Sequence, residues 1–180
     1  MDLNRIVSEA VELTRPRWRD IPQEHGFVID VRLELAQVDR ILGDAAALRD
    51  LLTNLIINAV DAMPKGGAIT ITTRRDNGSV LLTLADTGTG MTEEAKQRVF
   101  EPFFSTKGPQ GTGLGLSICY GIVQRHGGTI DLVSKPNKGT TLFVRLPVPS
   151  AELPLPPQIP LPDLPTLAIL GGTGKEGPGL

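Results

Sequence analysis

The chain has 180 residues, 40% of them hydrophobic and 21% charged, with a formal net charge of −2. These values describe one domain of ordinary size plus a tail, and they exclude the strong single-sign charge on which nucleic-acid and membrane-surface binders rely. No stretch approaches a membrane span, the N-terminus lacks the apolar run of a signal peptide, and a single cysteine, Cys119, excludes a disulfide framework. The expectation is therefore a cytoplasmic protein with no nucleic-acid partner and no direct membrane insertion, in which Cys119 is a small core residue.

In chain order, Leu3, Ile6, Val7, Ala10, Val11 and Leu13 recur with helical period, and Pro16 should end a helix within Leu3 to Trp18. Phe27 to Leu35 alternates as a strand, and His25 in the loop before it reads as a solvated side chain. Asp44 is placed to N-cap a helix over Ala45 to Met63, whose core face carries Leu48, Leu51, Leu52, Leu55, Ala59, Ala62 and Met63. Asp50, Asn54, Asn58 and Asp61 fall on the other side, with Asn54 and Asn58 one turn apart and their Cβ atoms roughly 5–6 Å from each other. A solvated face would suit the two aspartates. Asparagine suits it less, being a poor helix former, and its carbonyl oxygen can ligate a hard cation such as Mg²⁺ beside phosphates.

Ala68 to Arg75 and Val80 to Asp86 read as a hairpin joined by Asp76-Asn-Gly-Ser. Asp86 ends the second strand, either as a carboxylate facing a ligand or as the head of an Asx-type turn. From Asp86 to Leu116 two glycine clusters, Gly88 with Gly90 and Gly111 with Gly113 and Gly115, flank Phe100 to Lys107, which holds three of the chain's five phenylalanines. Those rings are either core or the apolar anchor of a loop that opens and closes. The second cluster feeds a helix over Leu114 to His126, where free N–H groups and the helix dipole favour an anion. The same glycines could serve a turn alone, and no Lys-Ser or Lys-Thr follows them as in a phosphate loop. His126 closes that helix in a position that favours the dipole. Thr129 to Ser134 and Thr140 to Leu146 add two strands around Pro136 to Gly139. The fold class is α+β, a two-layer sandwich in which a mixed, largely antiparallel sheet is covered on one face by helices.

From Asp2 to Pro147 the chain resembles the catalytic ATP-binding domain of two-component sensor histidine kinases, within the ATPase superfamily shared with gyrase and MutL. Leu51 to Ala62 is similar to that family's asparagine box, Asp86 to Gly90 to its first glycine box, Phe100 to Lys107 to its phenylalanine box, and Gly111 to Leu116 to its second glycine box. FEPFFSTK with GTGLGLS and RHGGTI most resembles kinases of the nitrogen-regulatory type. The resemblance implies an ATP-dependent protein histidine kinase with ATP and Mg²⁺ as cofactors. It implies that Asn58 holds Mg²⁺, that Asn54 contacts phosphate or metal, and that Asp61 belongs to the ATP site. Asp86 would accept a hydrogen bond from the adenine amino group, supported through water by Thr140, with Gly88 and Gly90 shaping the pocket. Gly111, Gly113, Leu114, Gly115 and Leu116 would receive the phosphates, Lys107 would reach the γ-phosphate, and Phe100, Phe103 and Phe104 would anchor the lid. Gyrase-like relatives place a glutamate base where this chain has Asn54, which implies a site that withholds ATP from water and delivers its phosphoryl group elsewhere.

The implied partners are a phosphoacceptor histidine domain and a response regulator. His25 and His126 are each followed by glycine rather than by an acidic residue, so the acceptor is expected on a partner or another segment. The alternative is a non-catalytic module that senses nucleotide or docks a response regulator. The expected organisation is an ATP-binding domain over 1–149, a proline-rich linker over 150–165, where prolines crowd, and a tail over 166–180. That tail, LAILGGTGKEGPGL, resembles the opening of a coenzyme F420-dependent NADP oxidoreductase, but a dinucleotide fold needs a further helix and strand, so no NADP binding is expected.

Overall fold

A computed structural model of the chain describes residues 1–106 and 111–149. Lys107, the expected linker and the expected tail lie outside the described residues. The described elements are helix α1 (Leu3–Leu13), a π-helical turn (Pro16–Asp20), α2 (Ile21–Glu24), strand β1 (Ile29–Leu35), α3 (Ala45–Asp61), β2 (Gly67–Asp76), β3 (Ser79–Asp86), α4 (Glu93–Arg98), α5 (Gly115–Arg125), β4 (Thr129–Ser134) and β5 (Thr140–Pro147).

The five strands form one sheet in the order β1-β2-β3-β5-β4, with β1 parallel to β2 and the other pairs antiparallel. This is the mixed, largely antiparallel sheet that the alternating patterns predict. At the β2–β3 hairpin Asn77 (φ 44°) and Gly78 (φ 77°) both take positive φ, the geometry of the tight turn that Asp76-Asn-Gly-Ser favours. One face of the sheet is covered: Ile71, Leu84 and Leu142 lie side by side in register, as do Leu82 and Val144, and all are buried. Against them pack Leu48, Leu51, Leu52, Leu55, Ile56 and Ala59 of α3, Ile6, Val7 and Ala10 of α1, and Cys119, Ile122 and Val123 of α5. Ile56 was not among the residues the helical pattern assigned to the core. Cys119 is fully buried, and burial pushes its thiol up to about 12, so it stays protonated as a core residue.

Of the boundaries that differ from the sequence reading, two have a clear physical cause. The first helix stops at Leu13, where the Thr14 hydroxyl donates to the Ala10 carbonyl at 2.8 Å, but the chain then re-enters helical turns at Pro16. Proline cannot extend α1 because it has no N–H to give, yet its fixed φ suits the first turn of the next helical piece. Strand β1 starts at Ile29 rather than Phe27, because the Phe27 N–H is used by the Pro22 carbonyl at 2.9 Å to close α2.

Helices α3 and α5 run antiparallel, and their ends are tied. Asp44 caps α3 as its sequence position predicts, its carboxylate accepting from the Ala46 N–H at 2.8 Å. At the far end of α5 the role expected for His126 is corrected. Its Nδ1 donates to the Ile122 carbonyl at 2.8 Å while its Nε2 accepts from the Asp44 N–H at 3.0 Å, so the ring is a hydrogen-bonded staple between two helices rather than a charge placed on a dipole. Gly43 (φ 141°) lets the ring come this close, since a Cβ there would strike the imidazole.

Leu52 of α3 sits fully buried in the core. Leu52→Ala is expected to lower unfolding free energy by about 2–5 kcal/mol, read from the shift of a urea denaturation midpoint at unchanged slope.

Candidate functional site

Period-two alternation puts Asp86, Thr140 and Ser134 on the covered face of the sheet, and the register makes them a row: Asp86 opposite Thr140, and Thr140 opposite Ser134. They are 8%, 5% and 3% exposed, and they occupy the end of a face that is largely apolar. Buried polar groups need partners, and these find them in the backbone. Asp86 Oδ1 accepts from the Gly88 N–H at 2.8 Å and from the Thr140 N–H at 3.3 Å. Burial pushes the Asp86 carboxyl above the ordinary carboxylate value, with those two N–H donors opposing the rise.

The first glycine cluster wraps this row. Gly88 lies against the last turn of α3, where a Cβ would stand 2.5 Å from the Ala62 carbonyl, and the Thr89 N–H donates to that same carbonyl at 2.9 Å. Gly90 (φ 64°) approaches the Lys135 carbonyl, and Asn137 donates to the Thr89 carbonyl at 2.7 Å, which ties the cluster to the β4–β5 turn. Gly139 (φ 80°) takes a conformation that side chains resist and lies directly against the Asp86 carbonyl.

The second half of the site lies where α5 begins. Gly115 faces the amide pair of α3: a Cβ built on it would lie 3.3 Å from Asn58 Nδ2 and 3.7 Å from Asn54 Oδ1. Asn54 Nδ2 donates to the Asp50 carbonyl at 3.0 Å, so its amide nitrogen is committed to its own helix and its oxygen is turned toward α5. The residue capping α5 is Leu114, which has no side-chain acceptor to offer the first N–H groups. An amide pair, a glycine and an uncapped helix start therefore converge at one place, which suits an anion and a hard cation together. Among the described residues no group of three or more His, Cys, Asp or Glu could hold a metal ion, so the donor set that fits here is amide oxygen supplemented by oxygens of a ligand.

The remaining candidates are dispersed around this convergence. Phe100 stacks obliquely on Tyr120 of α5, ring centres 5.7 Å apart, and Phe104 lies under the Arg98 guanidinium at 4.5 Å. Phe103 does not sit as an anchor: it has φ 67° and is 78% exposed. Its backbone makes the attachment instead, the Phe103 N–H donating to the Gly113 carbonyl at 3.0 Å, and Gly113 (φ 67°) leaves no room for a Cβ above that peptide. Phenylalanine segment and second glycine cluster are thus joined at Gly113, with Gly111 and Leu116 on either side. Asp61, in the last turn of α3, pairs with Arg17 of the N-terminal segment at 3.0 Å. Ser134 escaped the sequence reading. The alternation Ile130, Leu132, Ser134 marks it as inward-facing, but only the register reveals that it meets Thr140.

Residues 43–150 match the profile of a family described as histidine kinase-, DNA gyrase B-, and HSP90-like ATPase. The chain is 40% identical over 167 residues to sensor histidine kinase ZraS of Klebsiella oxytoca, which covers 81% of this chain and 36% of that protein. It spans about a third of the length of the curated relatives it matches in this way. Among solved structures, the nucleotide-free catalytic domain of histidine kinase ThkA is similar with a TM-score of 0.70 and 34% identity, covering 82% of this chain and 93% of that one. ThkA in complex with the response regulator TrrA gives 0.67 and 28%, covering 83% and 41%.

The buried row has a consequence for stability. A carboxyl whose folded pKa is raised favours the fold in its protonated form, and that contribution is lost as pH rises through the folded pKa. Asp86→Asn is expected to be more resistant to urea than the parent at neutral pH, with the difference shrinking as pH falls toward the ordinary Asp value of 3.8. Parallel stability curves for the two proteins across that range would contradict the burial argument.

Proposed function

The chain belongs to the histidine kinase-, DNA gyrase B- and HSP90-like ATPase family and carries the ATP-binding catalytic domain of sensor histidine kinases, and from that premise we propose that it holds Mg–ATP and passes the γ-phosphoryl group to a histidine of a partner or of a longer chain. The observation that carries this reading is the convergence of Asn54 and Asn58 on Gly115 at the uncapped start of α5. In it, the buried row receives the base, with Asp86 accepting from the adenine amino group beside Thr140. Gly88 and Gly90 shape the pocket by letting its walls pack against Ala62 and Lys135, and the N–H groups of Gly113 to Leu116 receive phosphate oxygens. Lys107 would add a positive charge near the γ-phosphate.

Mg²⁺ fits the amide pair, with the Asn58 carbonyl oxygen as the protein ligand, and when bound it supplies charge neutralisation of the phosphate oxygens. The chain's own residues orient the phosphates and withhold water. A neutral imidazole nitrogen of the acceptor attacks the γ-phosphorus, an N–P bond forms, the P–O bond to the β-phosphate breaks, and ADP leaves with the electron pair. The attacking nitrogen already carries its lone pair, so no base is required of this chain. Water would require one, and Asn54 cannot take a proton.

Sequence wording supports the nitrogen-regulatory type of kinase, and the ThkA complex supports a response regulator as the downstream partner. Among the described residues no helix is long and apolar enough to cross a membrane.

Calorimetric titration with a non-hydrolysable ATP analogue should show micromolar affinity that depends on Mg²⁺. Asn58→Ala should lose at least about tenfold of the affinity measured with Mg²⁺ while its circular dichroism stays unchanged, and equal affinities would remove the metal role. Asp86→Asn should weaken adenine nucleotides more than guanine nucleotides. Incubating the chain with radiolabelled ATP and a histidine-bearing helical hairpin from a sensor kinase should yield an acid-labile label on the hairpin. Tight Mg–ATP binding without transfer to the hairpins tried would favour the nucleotide-sensing alternative.

A further inference from the structure

Ser134 makes more polar contacts in the buried row than any single role as a strand residue requires. Its Oγ accepts from the Met91 N–H at 2.9 Å, donates to the Gly139 carbonyl at 3.0 Å, and lies 2.9 Å from Thr140 Oγ1. These three contacts join the end of the first glycine cluster, the β4–β5 turn and the residue whose N–H donates to Asp86. We propose that Ser134 is a positioning residue that fixes the direction of the Thr140 hydroxyl, so that the row presents only acceptors to the base and discriminates an exocyclic amino group from a carbonyl.

The assignment follows from counting hydrogens. A serine hydroxyl has one hydrogen and two lone pairs. Gly139 is buried and its carbonyl can only accept, so the Ser134 hydrogen is placed there. One Ser134 lone pair takes the Met91 N–H, and the other faces Thr140 Oγ1, which must then be the donor. The single hydrogen of Thr140 is consumed in that bond, and its lone pairs alone are left for any other neighbour. Asp86 Oδ1 already accepts from two backbone donors, and an ionised carboxylate offers nothing else. A base with an amino group at this edge finds acceptors to donate to, whereas a base with a carbonyl there meets oxygen lone pairs. The penalty is that of an unpaired buried acceptor. This inference rests on the row being the base end of a nucleotide site.

The test compares ADP with inosine diphosphate, which replaces the amino group with a carbonyl, by calorimetry on the full chain with Mg²⁺. The parent should prefer ADP on the order of a hundredfold. Ser134→Ala frees the Thr140 hydrogen to serve a carbonyl, and the ratio should fall about tenfold, chiefly through tighter binding of inosine diphosphate. An unchanged ratio, whether both affinities persist or both drop together, would show a structural role only and overturn the proposal. If Ser134→Ala is too unstable to bind either, Thr140→Val keeps the N–H donated to Asp86 and removes the hydroxyl. It too should lower the ratio severalfold, and no change there overturns the proposal equally. A parent chain that binds neither nucleotide would refute the nucleotide site itself, a failure distinct from an unchanged ratio.

Discussion

The constraint on which the structure depends is a charged carboxyl buried at the end of an apolar sheet face. Desolvating Asp86 is unfavourable unless donors are delivered to it, and the donors it receives are two backbone N–H groups. That requirement explains the local conformations around it. The chain must turn at once after β3 so that the Gly88 N–H points back at Asp86, and β5 must begin where the Thr140 N–H can reach the same oxygen. Gly139 has to pass so close to the Asp86 peptide that no side chain is tolerated, and Gly88 must also lie against Ala62. The glycines follow from satisfying one acid.

One helix carries that constraint to the other half of the site. α3 begins at the Asp44 N–H held by His126, runs past Cys119 at its middle, presents Asn54 and Asn58 to Gly115, and ends with the Ala62 carbonyl accepting from Thr89. Both ends of the site are thus fixed to a single rigid rod whose opposite face is locked by leucines against the sheet. A shift of α3 by a fraction of an ångström would disturb amide pair and glycine cluster together, which is a physical reason for so dense an apolar face beneath so polar a site.

Much of this was legible because it is local. The Asn54/Asn58 stripe follows from a 100° turn per residue, the cap at Asp44 and the turn at Asn77-Gly78 from backbone preferences, and the core of α3 from its leucines. Asp86 could be singled out because a carboxylate at a strand end stands out. What was not legible depends on register and order: β5 lies between β3 and β4, and nothing in the three strands taken separately reveals it. Ser134 was missed for that reason, since its meaning exists only opposite Thr140. His126 was misjudged because its partner, Asp44, is 82 positions away. Phe103 was grouped with its neighbours by composition, whereas its positive φ is imposed by the bond to Gly113.

Under the proposed function, the chemistry of the two halves also accounts for why their polar residues differ. At the amide pair, a carboxylate would add negative charge beside phosphates and would furnish a base for water; asparagine supplies an oxygen ligand without either effect. At the buried row the opposite would hold, because a full negative charge would discriminate strongly between a donor and an acceptor on the base, at the expense of the desolvation that raises its pKa. A carboxyl held above its ordinary value in a packed core works against folding, and an asparagine there would be easier to bury. In the proposed function, Asp86 is the point where this fold gives up stability for recognition.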